Sequence, residues 1–137
     1  MTPEQVSQAK KMAEDTLLQS LDIQISEVKS GYVEGTMPVD HRTHQPYGLL
    51  HGGATVALAE TLGSVGSHFA VDSTQFGAVG VEVNCNHLKS VRSGRVTGKA
   101  RMIHQGRKMH VWNVEVFNEE EELVATSRLT VMIISKP

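Results

Sequence analysis

The segment from Gly53 to Phe69 constrains the fold more than any other part of the sequence. It reads GATVALAETLGSVGSHF, with apolar residues at helical spacing that also spread around the rest of the helix. Between Thr43 and Val71 the one residue charged at neutral pH, with histidine counted as neutral, is Glu60. A helix that is apolar nearly all round is normally buried. The segment therefore predicts a buried helix over about 53–69.

Alternating patterns on both sides of this helix predict β-strands. They run over about 23–25, 33–39, 79–85, 96–102, 111–117 and 124–134, and the strand at 79–85 buries one face through Val79, Val81, Val83 and Cys85. At the N-terminus, Thr2, Pro3 and Gln5 form a helix-start pattern, and an amphipathic helix is predicted to about Leu18. Short connections imply an antiparallel sheet, and one sheet with one very apolar helix favours an α+β fold with the sheet curled around the helix.

Length and composition predict one domain, with an N-terminal helix over 1–20 and the remainder over 21–137. The 137 residues include 13 basic and 15 acidic side chains, and this near-neutral balance argues against non-specific binding to nucleic acid. The single cysteine, Cys85, excludes an internal disulfide framework and favours a cytoplasmic location. No signal peptide is predicted, and polar residues interrupt the charge-poor stretch, so no membrane span is predicted.

Glu60 and Gly52 are the candidate catalytic residues on physical grounds. A carboxylate within an apolar helix is costly to bury unless it is paired, neutralised or used. Gly52 and Gly53 begin the same helix, where unpaired backbone N–H groups can bind a carbonyl oxygen that gains negative charge. Ser64 lies one turn after Glu60 and is predicted either to hydrogen-bond its carboxylate or a water, or to be a small residue at a helix contact.

The spacing of Gly52 and Glu60 predicts a dimer. Eight residues separate them, which is about 12 Å along one helix at roughly 1.5 Å per residue. They are too distant to hold the same small carbonyl group. Two such helices packed antiparallel would bring Glu60 of one chain to Gly52 of a second, which implies a two-fold dimer with two equivalent sites.

The other clusters of polar residues in the sequence do not indicate one particular kind of site. His41 with His44, and Cys85 with His87, lack the further ligands that a zinc site requires, so no metal is predicted. Basic side chains in the second half indicate either solvated strand ends or an anion site for a phosphorylated ligand. That basic cluster contains His87, Lys89, Arg92, Arg95, Arg101, His104, Arg107 and Lys108.

Two adjacent segments, MPVDHRTHQPYGLLHGGA from Met37 and LAETLGS from Leu58, resemble the hotdog-fold acyl-CoA thioesterases. Within that family the chain resembles the branch of the Arthrobacter-type 4-hydroxybenzoyl-CoA thioesterase and of 1,4-dihydroxy-2-naphthoyl-CoA hydrolase. The likeness continues through VGVEVNCNHL, SGRV, HVW and SRLT, and covers about residues 21–134. It implies a single hotdog domain, in which an antiparallel sheet wraps one long helix.

The resemblance also implies roles for individual residues. Glu60 would be the catalytic carboxylate, as nucleophile or general base, and Gly52 would donate its N–H to the thioester oxygen. Gln45 would position the substrate or the attacking water, His51 would support the thioester site, and Ser64 would lie near the acyl group or water. Coenzyme A contacts are implied at Gly80, His87, Leu88, Lys89, Ser90, His104, Gly106, Arg107 and Lys108.

The expected reaction is hydrolysis of an acyl-CoA thioester by a homo-oligomer, with a dimer as the catalytic unit and a tetramer implied by the family. No metal or redox cofactor is expected. The likeness to the naphthoyl-CoA hydrolases favours an aromatic or bulky acyl group and a role in menaquinone biosynthesis. Two alternatives stay open: a hotdog-type hydratase or dehydratase that uses His51 with Glu60, and a non-catalytic acyl-CoA-binding module.

Overall fold

The computed structural model describes residues 2–137, which form three helices and six strands in the α+β arrangement predicted from the sequence. The helices are α1 (Pro3–Ala13), α2 (Leu17–Ser20) and α3 (Gly52–Ala70). The strands are β1 (Gln24–Lys29), β2 (Tyr32–Pro38), β3 (Phe76–His87), β4 (Arg95–Gln105), β5 (Met109–Phe117) and β6 (Leu123–Ser135). They form one antiparallel sheet with the order β1-β2-β4-β5-β6-β3.

Helix α3 is the centre of the core, as predicted, because it contacts all six strands. Leu58 and Leu62 on α3 are fully buried against the sheet. Trp112 of β5 packs directly against the helix backbone, and a Cβ added to Gly66 would lie 2.3 Å from its ring. Small residues at this position thus let the largest core side chain approach the helix. Among residues 2–137, none of the three helices has the length and hydropathy that crossing a bilayer requires.

The N-terminal segment differs from the single helix predicted to about Leu18. Helix α1 ends at Ala13 and the short α2 begins at Leu17. Asp15 between them has a φ of 57°, which interrupts the helical hydrogen-bond ladder. The Thr16 side chain then caps α2 by accepting a hydrogen bond from the Leu18 N–H. None of the residues of α1 is buried, so α1 lies on the surface of the core.

Strand β3 is an edge strand, and within residues 2–137 it pairs only with β6. Its sequence pattern predicts that Val79, Val81, Val83 and Cys85 share one buried face. For Val79 and Val81 this prediction is wrong. Val79 and Val81 are 41% and 49% exposed, whereas Val83 and Cys85 pack against the core.

A β-bulge explains this change of face. The pairing of β3 with β6 shifts register between Gly80 and Glu82, so one extra residue enters the strand. Ala78 packs against the core and Gly80 contacts Glu60 of α3 before the bulge, and His87 contacts the start of α3 after it. The bulge therefore turns both ends of β3 towards α3.

Candidate active site

The first turn of α3 presents one unused backbone donor. His51 caps the helix: its Nδ1 accepts a hydrogen bond from the Gly53 N–H at 2.7 Å. Its carbonyl oxygen accepts from the N–H groups of Ala54 and Thr55 at 3.0 and 3.2 Å. Within residues 2–137 the Gly52 N–H has no hydrogen-bond partner. This N–H also lies at the positive end of the helix dipole, so it is suited to bind an oxygen that gains negative charge.

Gln45 adds a side-chain amide to the same site. Its Oε1 accepts hydrogen bonds from the N–H groups of Tyr47 at 2.5 Å and Leu49 at 3.3 Å, which hold the side chain against its own loop. Its Nε2 has no partner within the part of the chain that the structure describes. Gln45 and Gly52 line one cleft of about 400 Å³. The cleft thus holds a fixed amide beside an unpaired backbone N–H.

The 87–90 segment forms the other wall of this cleft, which we call the Gly52 cleft. The His87 ring lies against the helix start, with Nε2 3.0 Å from the position of a Cβ added to Gly52. His87 Nδ1 is 3.9 Å from Cys85 Sγ, and burial raises the pKa of that thiol. The Lys89 ammonium pairs with Glu122 at 2.5 Å while half-exposed. Of the predicted coenzyme A contacts, His87, Leu88, Lys89 and Ser90 line the Gly52 cleft.

Glu60 lines a second, larger cleft of about 610 Å³, which we call the Glu60 cleft. The Glu60 side chain is half-buried, and its carboxylate has no hydrogen-bond or ion-pair partner within residues 2–137. Its Oε2 lies 2.7 Å from the position of a Cβ added to Gly80, so the carboxylate lies over edge strand β3. Ser64 lines the same cleft. Gly80, predicted as a coenzyme A contact, is therefore a neighbour of Glu60 in this chain.

One chain does not bring all of the predicted site residues together. Gly52 and Glu60 lie in separate clefts, which is the separation that the sequence spacing predicts. His104, Gly106, Arg107 and Lys108 lie in and beside the β4–β5 turn. Gln105 borders Phe69 and Ala70 at the C-terminal end of α3, whereas the Gly52 cleft lies at its N-terminal end.

The sequence interpretation missed two groups of residues. Ala9 and Met12 of α1 line the Glu60 cleft. The one sequence signal that α1 packs against another element is the helical spacing of apolar residues near the N-terminus. In the buried core, Ser67 Oγ accepts a hydrogen bond from Trp112 Nε1 and forms a second one with His110 Nδ1, both at 2.8 Å. No sequence signal joins these three residues, because 43 and 45 positions separate Ser67 from its partners.

Metal-ligating side chains do not cluster around either cleft. Within residues 2–137, no three His, Cys, Asp or Glu side chains come together in a group that could hold a metal ion. The two clefts present the Glu60 carboxylate, the Gln45 amide, the Lys89 ammonium, backbone N–H groups, imidazole rings and the hydroxyls of serine and threonine side chains.

Comparison with known proteins finds similarity to thioesterases. A family model described as the Thioesterase superfamily matches residues 47–125. The 1,4-dihydroxy-2-naphthoyl-CoA hydrolase of Escherichia coli is 45% identical over 123 residues, which are 90% of this chain and 90% of that protein. A Pseudomonas aeruginosa thioesterase, solved as a Gln-to-Ala mutant, superposes with a TM-score of 0.94 and 42% identity over 99% of this chain and 97% of that one.

A Staphylococcus aureus protein, called a thioesterase in one of its structures, is also similar. Solved as a Glu-to-Ala mutant, it superposes with a TM-score of 0.87 and 41% identity, over 88% of this chain and 100% of that one. It was also solved as a Gln-to-Ala mutant, with a TM-score of 0.85. The two mutated positions are 15 residues apart.

Proposed function

The chain belongs to the thioesterase superfamily and has its hotdog fold, and on that premise we propose that it hydrolyses an acyl-CoA thioester to the free acid and coenzyme A. The observation that carries the proposal is the unpaired Gly52 N–H at the start of a buried helix, in one cleft with the free amide of Gln45. Donors held in place before the reaction stabilise a developing oxyanion because they need not reorganise. An aromatic or bulky acyl group is favoured by the name of the E. coli relative.

The proposed reaction begins when the thioester carbonyl oxygen accepts a hydrogen bond from Gly52. In one route a Glu60 oxygen attacks the carbonyl carbon, the C–S bond breaks, and water then hydrolyses the mixed anhydride. In the other route Glu60 takes a proton from a water that attacks the same carbon, and the proton passes to the leaving thiolate. Gln45 orients the carbonyl or the water in both routes. Neither route uses a metal or a redox cofactor.

A homodimer supplies the complete site in this proposal. Glu60 and Gly52 lie about 12 Å apart along α3, so the reacting carbonyl contacts Gly52 of one chain and Glu60 of another. Glu60 lies over β3, and this edge strand exposes Val79 and Val81. Pairing of two β3 edges about a two-fold axis would set the α3 helices antiparallel. A tetramer built from two such dimers is the larger assembly that the resemblance implies.

Coenzyme A binding also follows from this arrangement. The segment from His87 to Ser90 adjoins Gly52 and contributes Lys89, a cation suited to a phosphate group. In an antiparallel pair of α3 helices, the C-terminal end of one lies near the N-terminal end of the other. The basic turn of the second chain, with Arg107 and Lys108, would then approach the Gly52 cleft. We therefore propose that both chains bind the coenzyme A of one substrate.

Residue spacing in a relative supports the choice of Gln45 and Glu60. The S. aureus protein was mutated at a glutamine and a glutamate 15 positions apart, and the same 15 positions separate Gln45 from Glu60. The hydrolase name of the E. coli relative supports a naphthoyl-CoA substrate and, through it, a role in menaquinone biosynthesis.

The first test is release of free coenzyme A thiol from a panel of acyl-CoA esters. We expect the wild type to hydrolyse aromatic esters, and Glu60→Gln to lose at least about a hundredfold in kcat because an amide neither attacks the carbonyl nor accepts the proton. Glu120→Gln, in the exposed β5–β6 hairpin, is the matched control and should keep wild-type activity. Wild-type activity of Glu60→Gln would contradict the proposal. If no ester releases thiol, enoyl-CoA hydration and acyl-CoA binding test the two alternatives.

A second experiment tests the two-chain site. Glu60→Gln and Gln45→Ala, each inactive alone, are unfolded together and refolded as a mixture. A mixed dimer has one site with both changes and one intact site, so random pairing should restore about a quarter of the wild-type activity. Each variant refolded alone is the control. If the mixture shows no activity above that of the separate variants, both residues act within one chain.

A further inference from the structure

The Glu60 cleft has a polar stripe along its floor. Glu60, Ser64 and His68 are spaced at i, i+4 and i+8 on α3, so they lie along one face of the helix. At roughly 1.5 Å per residue, Ser64 is about 6 Å and His68 about 12 Å from Glu60. The cleft runs along α3 from Gly53 to Phe69, with Glu60 near its middle, so His68 is the polar group of this stripe nearest its C-terminal end.

Helices α1 and α2 form the outer wall of this cleft and make it largely apolar. Ala9 and Met12 come from α1, and Leu17 and Leu18 come from the segment that follows. Apart from the capping contact of Gln5 with Thr2, the side chains of α1 make one hydrogen bond to the rest of residues 2–137, between the Gln8 amide and His68 Nε2 at 3.2 Å. Helix α1 thus lies across the cleft and is tied to its far end.

The pair of Gln8 and His68 has unused hydrogen-bonding capacity. His68 Nδ1 and Gln8 Oε1 have no hydrogen-bond partner within the described part of the chain. Burial, with Lys136 nearby, lowers the pKa of His68, so its ring is neutral near pH 7 and has both a donor and an acceptor nitrogen. An apolar acyl end packed against half-buried His68 would leave its Nδ1 unpaired, whereas a hydroxyl or keto group would pair with it.

We propose that His68 and Gln8 form a subsite for a polar substituent at the far end of a long acyl group, and that α1 is the outer wall of this subsite. The inference rests on the proposed function, which places the reacting carbonyl at Glu60 and coenzyme A at the basic Gly52 cleft, so the acyl group extends along the Glu60 cleft. A single hydroxylated ring ends near Ser64. A fused two-ring acyl group with a hydroxyl opposite the carbonyl reaches His68.

Two pairs of esters test this subsite. The long pair is 6-hydroxy-2-naphthoyl-CoA and 2-naphthoyl-CoA, and the short pair is 4-hydroxybenzoyl-CoA and benzoyl-CoA. For each pair, the ratio of kcat/KM with and without the hydroxyl is measured by thiol release. We expect the wild type to favour the long hydroxylated ester about tenfold, the usual effect of one hydrogen bond. His68→Leu should remove that preference and leave the ratio of the short pair unchanged.

Two further variants separate this effect from a change in folding. Gln8→Leu on exposed α1 should reduce the long-pair ratio in the same direction, and His41→Leu, whose parent side chain is 88% exposed, should leave it at the wild-type value. A long-pair ratio that is unchanged in both His68→Leu and Gln8→Leu, or a wild type without preference, overturns the subsite but not the proposed function. Thiol release from none of the four esters overturns both.

Discussion

The buried hydroxyl of Ser67 offers a quantitative test of how α3 is held on the sheet. Ser67, His110 and the Trp112 indole N–H form one hydrogen-bonded chain, and these residues are 0%, 1% and 0% exposed. Ser67→Ala removes two hydrogen bonds and leaves the indole N–H of Trp112 and Nδ1 of His110 unpaired. Each unpaired buried group costs about 1–3 kcal/mol, so we expect the free energy of unfolding to fall by about 2–6 kcal/mol.

Urea unfolding followed by tryptophan fluorescence measures this loss directly. Trp112 is the single tryptophan, so the signal reports on the environment of the mutated hydroxyl. Ser64→Ala is the matched control, because Ser64 is half-exposed in the Glu60 cleft one turn earlier and its loss should change stability by less than about 0.5 kcal/mol. Both variants are compared at one protein concentration, since the stability of the proposed dimer would depend on it. Equal stability losses in the two variants would refute the reasoning.

Two other predictions concern the carboxylate and the buried histidine. Gly80→Ala places a Cβ 2.7 Å from Glu60 Oε2 and should lower kcat about tenfold to a hundredfold by displacing that carboxylate. In the control Gly77→Ala, the nearest atom to the added Cβ is 3.9 Å away, so kcat should not change. Equal kcat values in the two variants would contradict the contact between Gly80 and Glu60. Burial, and His104 nearby, lower the pKa of His110 below its ordinary value of 6.5. The unfolded chain then binds the proton first, so stability is highest above pH 6.5 and decreases as the pH falls towards the folded-state pKa. Urea unfolding measures the decrease in the free energy of unfolding between pH 7.5 and pH 5.5. This decrease should be smaller in His110→Asn than in the wild type and in the control His41→Asn. Equal decreases in all three proteins would exclude this role of His110.

Several features of the fold and of the candidate site could be read from sequence because they depend on local spacing. The apolar run of α3 predicted a helix over 53–69, and it spans Gly52–Ala70. Alternation predicted β2 to β6 close to their observed places, whereas β1 was predicted over 23–25 and spans Gln24–Lys29. The eight positions between Gly52 and Glu60 also set a distance that any helix must keep, which is why two separate clefts could be expected.

Features that depend on contacts between distant residues were decided by the tertiary structure alone. The extra residue in β3 has no local signature, because a bulge is defined by the register with β6 and not by one strand. The chain from Trp112 through Ser67 to His110 exists because α3 and β5 pack together.

The position of α1 also depends on contacts between residues that are distant in sequence. The left-handed Asp15 breaks the first helix and lets α1 lie across the Glu60 cleft, where Gln8 meets His68 across 60 positions of sequence. The sequence by itself therefore determined which segments are helix or strand and which residues can act chemically. Only the tertiary structure decided which of these residues share a cleft, because burial and register depend on the partner that each segment packs against.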